Sequence, residues 1–86
     1  MMLRLRPGVV LQRLGAEAVL LDTAQGSYFE LNPSGVVVLE HLLAGGSPGS
    51  AASELSERYE IDAQTAERDS MALLSALNRS GLLADV

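Results

Sequence analysis

The sequence predicts an α+β fold in which a three-stranded antiparallel sheet is followed by three helices. Short runs rich in β-branched and aromatic residues fall within residues 9–31, and short loops separate them. Helix-start signals then follow at Asn32-Pro33, Ser47-Pro48 and Asp62. Strands that precede the helices, rather than alternate with them, indicate segregated layers in one domain, which we expect to span residues 1–86.

The three strands are predicted at 9–14, 18–22 and 27–31, where the sequence reads VVLQRL, AVLLD and SYFEL. Gly26 lies in the second connection and can adopt the positive φ that a tight turn needs. Because both connections are short, the strands are expected to form an antiparallel meander. Alternation in the third strand places Phe29 and Leu31 on one face and Tyr28 and Glu30 on the other.

The first helix is predicted to begin at Pro33, with Asn32 as its N-cap, and to end before Gly45-Gly46. Its Val36-Val37-Val38 run favours a strand by propensity, but the cap and the glycine stop favour a helix. At 100° per residue one face is apolar, and its members are Val36, Val38, Leu39, Leu42 and Leu43. His41 lies on the opposite face and is interpreted as a solvated residue.

The second helix is predicted from Pro48 to Tyr59 after an Ser47 N-cap. Its inward residues are expected to be Ala51, Ala52, Leu55 and Tyr59. The third helix is predicted over 63–80, after an Asp62 N-cap and before Gly81 at the C′ position.

One stripe of the third helix is small at its N-terminal half and bulky at its C-terminal half. Its members are Ala63, Ala66, Ser70, Leu73, Leu74 and Leu77, with Asp69 at the border. Two interpretations stay open. Either the small residues leave a shallow cleft, or they allow close packing against a neighbouring helix.

The composition argues against catalysis and metal binding. The chain has no Cys, so it offers no disulfide, thiolate metal site or thiol nucleophile, and one His cannot supply a multi-histidine site. No motif joins a nucleophile to a base. We therefore expect no enzyme activity, no catalytic residue, no bound metal and no cofactor.

The charges argue against nucleic acid as a partner. The chain has eleven acidic and six basic residues, all of the latter Arg, and a net charge of −5. Affinity for nucleic-acid phosphates, in contrast, requires clustered cations. Arg4, Arg6 and Arg13 are interpreted as solvated charges. No apolar run approaches the roughly 20 residues of a membrane span, and no secretory signal is recognised. We expect a cytoplasmic protein with neither nucleic acid nor membrane as a partner.

A set of spaced motifs runs through most of the chain. They are Asp22, Tyr28-Phe29-Glu30-Leu31-Asn32, Ser34-Gly35, Gly46-Ser47, Ile61-Asp62, Asp69, Leu77 and Gly81-Leu82. In this order and spacing, over about residues 9 to 83, the chain resembles the PqqD-like family of RiPP precursor-peptide recognition elements. One departure is Ser70, where that family usually has an apolar residue.

The resemblance implies a winged helix-turn-helix-like fold and an adaptor function. Such proteins bind the leader segment of a ribosomally synthesised precursor peptide and present it to a maturation enzyme. A short stand-alone chain resembles the versions of lasso-peptide biosynthesis, where the partner is a leader peptidase. Alternatives are a chaperone of the pyrroloquinoline quinone precursor for a radical enzyme, a structural subunit of an enzyme and, less favoured, a winged-helix DNA-binding protein.

The resemblance also implies where the peptide binds. In the family the leader adds as a strand to the edge of the third strand, beside the last helix, and an unpaired edge offers the N–H and C=O groups for this. Main-chain pairing is assigned to Ser27, Tyr28, Phe29, Glu30 and Leu31. The pocket wall is assigned to Ala66, Asp69, Ser70, Leu73 and Leu74. Core roles for Phe29 and Leu31, an ion pair of Asp69 with an Arg, and a homodimer through the sheet edge remain alternatives.

Overall fold

Three strands are followed by three helices in the structure, a computed structural model that describes residues 3–84. The elements are β1 (Val9–Leu14), β2 (Glu17–Asp22), β3 (Ser27–Leu31), α1 (Pro33–Leu43), α2 (Pro48–Tyr59) and α3 (Ala63–Arg79). The predicted α+β class and element order are confirmed, with β2 beginning one residue earlier than predicted. Residues 1, 2, 85 and 86 of the predicted domain lie outside the described residues.

The sheet is an antiparallel meander of order β1-β2-β3. Leu20 lies opposite both Leu11 and Phe29, and its side chain is completely buried. Gly26 has a φ of 70° in the β2–β3 turn, as the sequence predicts. Within residues 3–84, β1 and β3 each pair along one side only, so the sheet has two unpaired edges.

The two faces of β3 differ as the alternation predicts. Leu31 is buried and Phe29 is half-buried, whereas Tyr28 is 64 % exposed on the other face. Cross-strand pairing places Tyr28 opposite Leu21, and Leu21 opposite Val10. These three side chains form an exposed row on the outer face of the sheet.

All three predicted N-caps are present. Asn32 accepts a hydrogen bond from the N–H of Gly35 at 2.8 Å, and Asp62 accepts one from the N–H of Thr65 at 2.9 Å. Ser47 and Ser50 cap α2 reciprocally. The Val36–Val38 run is helical and buried in α1, so the cap and the packing of its apolar face outweigh β-propensity.

The third helix packs mainly on α2 and also on α1. In the part of the chain that the structure describes, no Cα atom of α3 comes within 8 Å of a Cα atom of β3. Ala66 and Ser70 are completely buried in α3. Close helix packing is therefore the correct interpretation of the small stripe.

One residue predicted to face inward is exposed. Tyr59 is the last residue of α2, and the following Glu60 leaves the helix with a left-handed φ of 51°. The prediction for Tyr59 is wrong because a helical stripe stays at the interface only where the helices overlap, and this position lies at a helix end.

Asp22 is a buried charge that joins three parts of the chain. Its carboxylate forms an ion pair with Arg6 and accepts the N–H groups of Ala24 at 3.1 Å and Gln25 at 3.2 Å. Arg6 belongs to an N-terminal segment whose N–H donates to the carbonyl of Leu82. The pair therefore connects the β2–β3 turn to the segments around Arg6 and Leu82. The interpretation of Arg6 as a solvated charge is wrong.

Replacement of Asp22 should destabilise the fold. The Asp22→Ala variant leaves Arg6 without its partner and two turn N–H groups without an acceptor, so the free energy of unfolding should fall by about 2–4 kcal/mol. Urea denaturation followed by circular dichroism measures this. The matched control is Glu57→Ala on the exposed face of α2, expected to change stability by less than about 0.5 kcal/mol. Equal effects of the two substitutions would contradict the role given to Asp22.

Candidate functional site

A cleft of about 590 Å³ opens beside the C-terminal half of β3 and is bounded on its far side by α3. It exists because α3 packs on the other helices and leaves β3 uncovered. Its apolar lining is formed by Phe29, Leu31, Val38, Leu55 and Leu73. The cleft can therefore receive apolar side chains from whatever lies along β3.

The remaining lining is polar or small. The charged members are Glu17, Glu30 and Asp69, all exposed. The other members are Leu14, Ala18, Val19, Asn32, Ser34, Gly35 and Ala72. No Arg or His belongs to this lining, so the cleft combines an apolar floor with acidic walls.

The main chain of β3 supplies the second part of the site. Its ladder with β2 uses one side of the strand, and the opposite side pairs with nothing in residues 3–84. Neighbouring strands lie about 4.8 Å apart, so an extended peptide fits beside β3 with alternate side chains on opposite faces. β1 has an equally unpaired edge, but the cleft borders β3.

The structure brings five of the ten predicted site residues together at the cleft. They are Phe29, Glu30, Leu31, Asp69 and Leu73. Ser27 and Tyr28 lie on the same strand but towards its other end, outside the cleft lining. Asp69 forms no ion pair within the described residues, so the alternative of a pair with a neighbouring Arg is not what the structure has.

Three predicted wall residues do not line the cleft. Ala66 and Ser70 are completely buried, and Leu74 is half-buried against the core. Successive residues of a helix turn by 100°, so Asp69 and Ala72 face the cleft while Ser70 and Leu74 are turned away from it. In the structure these three predicted wall residues therefore lie outside the cleft lining.

Sequence reasoning missed several lining residues. Ala72 follows Asp69 by three positions and lies on the same side of the helix, so its place in the cleft lining could have been predicted from the sequence. Val38 and Leu55 belong to α1 and α2 and are buried at the bottom of the cleft, and no local signal distinguishes this position from ordinary burial. Glu17 lies at the start of β2, in what the sequence predicts as a loop.

His41 lies in a second polar cluster, away from the cleft. Its Nδ1 lies 2.7 Å from Glu54 Oε2, and its Nε2 lies 2.7 Å from Ser50 Oγ. Arg58 approaches the same Glu54 carboxylate at 3.4 Å. His41 is thus half-buried and links α1 to α2, so its interpretation as a solvated residue is wrong.

The side chains of Ser50, His41 and Glu54 are in contact in the same succession, hydroxyl to imidazole to carboxylate, as in the catalytic triad of a hydrolase. Their surroundings, however, are not those of an active site. Ser50 Oγ accepts the N–H of Ser47 at 3.1 Å within the cap of α2. The shallow cavity beside His41 is not lined by Ser50. Ser50 therefore stabilises the start of a helix, and the cluster is explained as a connection between helices.

Within residues 3–84, no group of three His, Cys, Asp or Glu side chains is placed to hold a metal ion. Among the same residues, no helix is long and apolar enough to cross a membrane.

Comparisons with known proteins agree with this geometry. The profile of the family described as Coenzyme PQQ synthesis protein D (PqqD) matches residues 17–83. A structure described as lasso peptide synthetase B1 complexed with the leader peptide is 34 % identical, has a TM-score of 0.90, and covers 99 % of this chain and 100 % of its own.

A second structure, TbiB1 in complex with the TbiA(beta) leader peptide, is 30 % identical with a TM-score of 0.84, and the match covers 96 % of each chain. No significant match is found among curated proteins. The resemblance that the sequence motifs indicate is confirmed, together with the fold that it implies.

Two substitutions of Ser70 test whether its side chain packs between α2 and α3 or borders the cleft. Its hydroxyl donates to the carbonyl of Ala66 at 2.8 Å in a fully buried position. Ser70→Leu should overpack the α2–α3 interface and lower the free energy of unfolding by about 1–3 kcal/mol. Ser70→Ala should change it by less than about 1 kcal/mol, since that carbonyl can keep its helical hydrogen bond.

Thermal or urea denaturation measures both changes, and Ser75→Leu on the exposed side of α3 is the control. A Ser70→Leu variant as stable as this control would show that Ser70 borders open space.

Proposed function

This chain belongs to the family described as Coenzyme PQQ synthesis protein D (PqqD), and on that premise we propose that it binds the leader segment of a ribosomally synthesised precursor peptide and presents it to a maturation enzyme. The observation that carries the proposal is the unpaired edge of β3 beside a cleft with an apolar floor. The likeness to two leader-peptide complexes over nearly the whole chain supports it.

The leader adds as a fourth strand to β3, in the cleft with α3. Peptide side chains on the inner face enter the cleft near Phe29, Leu31 and Leu73. Those on the outer face lie next to Tyr28 and Glu30. Backbone pairing contributes affinity without regard to sequence, whereas the cleft selects side chains.

An apolar floor is needed because the peptide loses conformational entropy when it becomes ordered along β3, and apolar contacts must offset this loss. Fixing the backbone of five residues costs on the order of 5–10 kcal/mol. One buried Leu or Val side chain returns roughly 1.5–3 kcal/mol, and a typical net hydrogen bond returns about 1 kcal/mol. About five strand hydrogen bonds offset only the lower end of this cost, so apolar anchors in the cleft are needed for a stable complex.

The proposed setting is lasso-peptide biosynthesis, which the likeness to a lasso peptide synthetase B1 supports, and the proposed partner enzyme is a leader peptidase. Both similar structures contain leader peptides. The chain acts as one non-catalytic adaptor domain over residues 1–86 in the cytoplasm. DNA binding is disfavoured because α3 carries Glu67 and Asp69 against Arg68 and Arg79, whereas duplex-binding helices contribute several cations.

An arginine placed in the cleft should weaken leader binding. Ala72 is exposed and lines the cleft, so Ala72→Arg fills it without disturbing the core. Titration with the labelled leader peptide of the cognate precursor, followed by fluorescence anisotropy, should give a dissociation constant raised at least about tenfold. The control is Met71→Arg, an adjacent residue that is 53 % exposed and outside the cleft lining.

Met71→Arg should bind within about twofold of the wild-type protein, as exposed substitutions usually do. Absence of saturable binding by the wild-type protein contradicts the proposed function. Equal binding by Ala72→Arg and Met71→Arg contradicts the site.

Methylation of peptide amides tests the strand geometry separately. In an added strand only every second peptide N–H points towards β3. Single N-methyl groups along the leader should weaken binding strongly at alternate positions and weakly between them, as measured by isothermal titration calorimetry. Binding that tolerates N-methylation throughout would show that side chains alone hold the peptide.

A further inference from the structure

The cleft that receives the leader in this proposal is acidic on several sides. Glu17 and Glu30 lie on the outer face of the sheet at the rim of the cleft, and Asp69 lies on α3 at the other side of the cleft. All three side chains are exposed, and none forms an ion pair within residues 3–84. Three like charges thus border the cleft without a cation among the lining residues.

The positions nearest to these carboxylates are uncharged. Glu17 lies opposite Leu14 across the sheet, and Glu30 lies opposite Val19. On α3, the side chains three and four positions away from Asp69 are Thr65, Ala66, Ala72 and Leu73. A carboxylate is usually neutralised by an opposite charge at such a cross-strand or helical position. None of the positions named here carries a positive charge.

Arg13, the arginine nearest to Glu17 in the sequence, is engaged elsewhere. It donates to Glu40 at 2.7 Å and to the carbonyl of Gly15 at 3.1 Å. Arg68 is next to Asp69 in the sequence but does not belong to the cleft lining. The backbone and side-chain hydrogen bonds of Thr65 hold the pKa of Asp62 below its ordinary value, and the charge of Arg68 adds to this. No arginine of the described residues therefore lines the cleft.

We propose that Glu17, Glu30 and Asp69 select leader segments in which Lys or Arg accompanies the apolar anchors. This inference rests on the proposed function, since it specifies the peptide that the same cleft accepts. Glu30 projects from the outer face of β3, so a cation directly opposite or diagonal to it in an added strand lies within reach. Asp69 is placed to meet a second cation from the side of α3.

The expected contribution to affinity is modest for each carboxylate and larger for the three together. Exposed ion pairs are weak and are screened by salt. Electrostatic complementarity acts mainly on the choice of partner and on the rate of association. The selectivity should therefore be clear at low salt and fade at high salt.

Selection of random peptides tests the inference without knowledge of the natural leader. An mRNA-displayed library of random peptides is selected on the wild-type protein and on the cleft variant Glu17→Gln/Glu30→Gln/Asp69→Asn. The matched control Glu57→Gln/Glu60→Gln/Glu67→Gln changes the net charge equally at exposed residues outside the cleft. Ala72→Arg serves as the blocked-cleft reference.

Wild-type and control proteins should enrich peptides that combine apolar residues with Lys or Arg, and the cleft variant should lose only the basic preference. For an enriched peptide at about 0.05 M salt, the dissociation constant should rise about tenfold in the cleft variant and less than about twofold in the control. The same difference should fall below about threefold at about 0.5 M salt.

Peptides that are enriched, require an open cleft and lack a basic preference would overturn this inference and leave the proposed function standing. An equal loss of the basic preference in cleft variant and control would also overturn it. No enrichment, or enrichment that Ala72→Arg leaves unchanged, would overturn the proposed function itself.

Discussion

The packing of α3 against α2 determines what the rest of the molecule can do. Ala66 and Ser70 are fully buried in α3, and such small side chains allow two helices to approach closely. Helix α3 is thereby kept away from β3. Proteins usually cover or blunt the edge of a sheet, since an open edge pairs with other chains. Here the edge stays open beside an apolar cleft, which is the physical basis of the proposed binding of an extended peptide.

The few cations of the chain are used mainly for structure. Arg6 neutralises the buried carboxylate of Asp22, while Arg13 pairs with Glu40 and Arg58 with Glu54. None of the six arginines belongs to the cleft lining. The excess of acidic residues is therefore not distributed evenly, and part of it lies where a partner would bind. This distribution gives the net charge of −5 a functional interpretation.

Local signals were sufficient for the fold, whereas five of the ten predicted site residues line the cleft. Asn32, Ser47 and Asp62 cap their helices as predicted, and alternation along β3 places Phe29 and Leu31 on the inner face. These features depend on neighbouring residues in the chain. The motif resemblance added the proposed role of β3, which residue propensities alone do not predict.

The errors concern which neighbour each side of a helix meets. Ala66, Ser70 and Leu74 belong to the apolar side of α3, but the sequence cannot tell whether that side faces another helix or a cleft. The burial of Asp22 with Arg6 and the bond of His41 to Glu54 join residues that are far apart in the sequence. Such pairs follow from tertiary packing and carry no local signal.

Hydrogen exchange of the β3 amides, with and without a saturating leader peptide, tests the central claim most directly. Unpaired edge amides exchange readily, and strand addition protects them. The structure predicts slower exchange at alternate residues within Ser27–Leu31 and no change along the other edge strand, Val9–Leu14. A leader that binds and leaves the exchange of Ser27–Leu31 unchanged, or protects Val9–Leu14 instead, would contradict it.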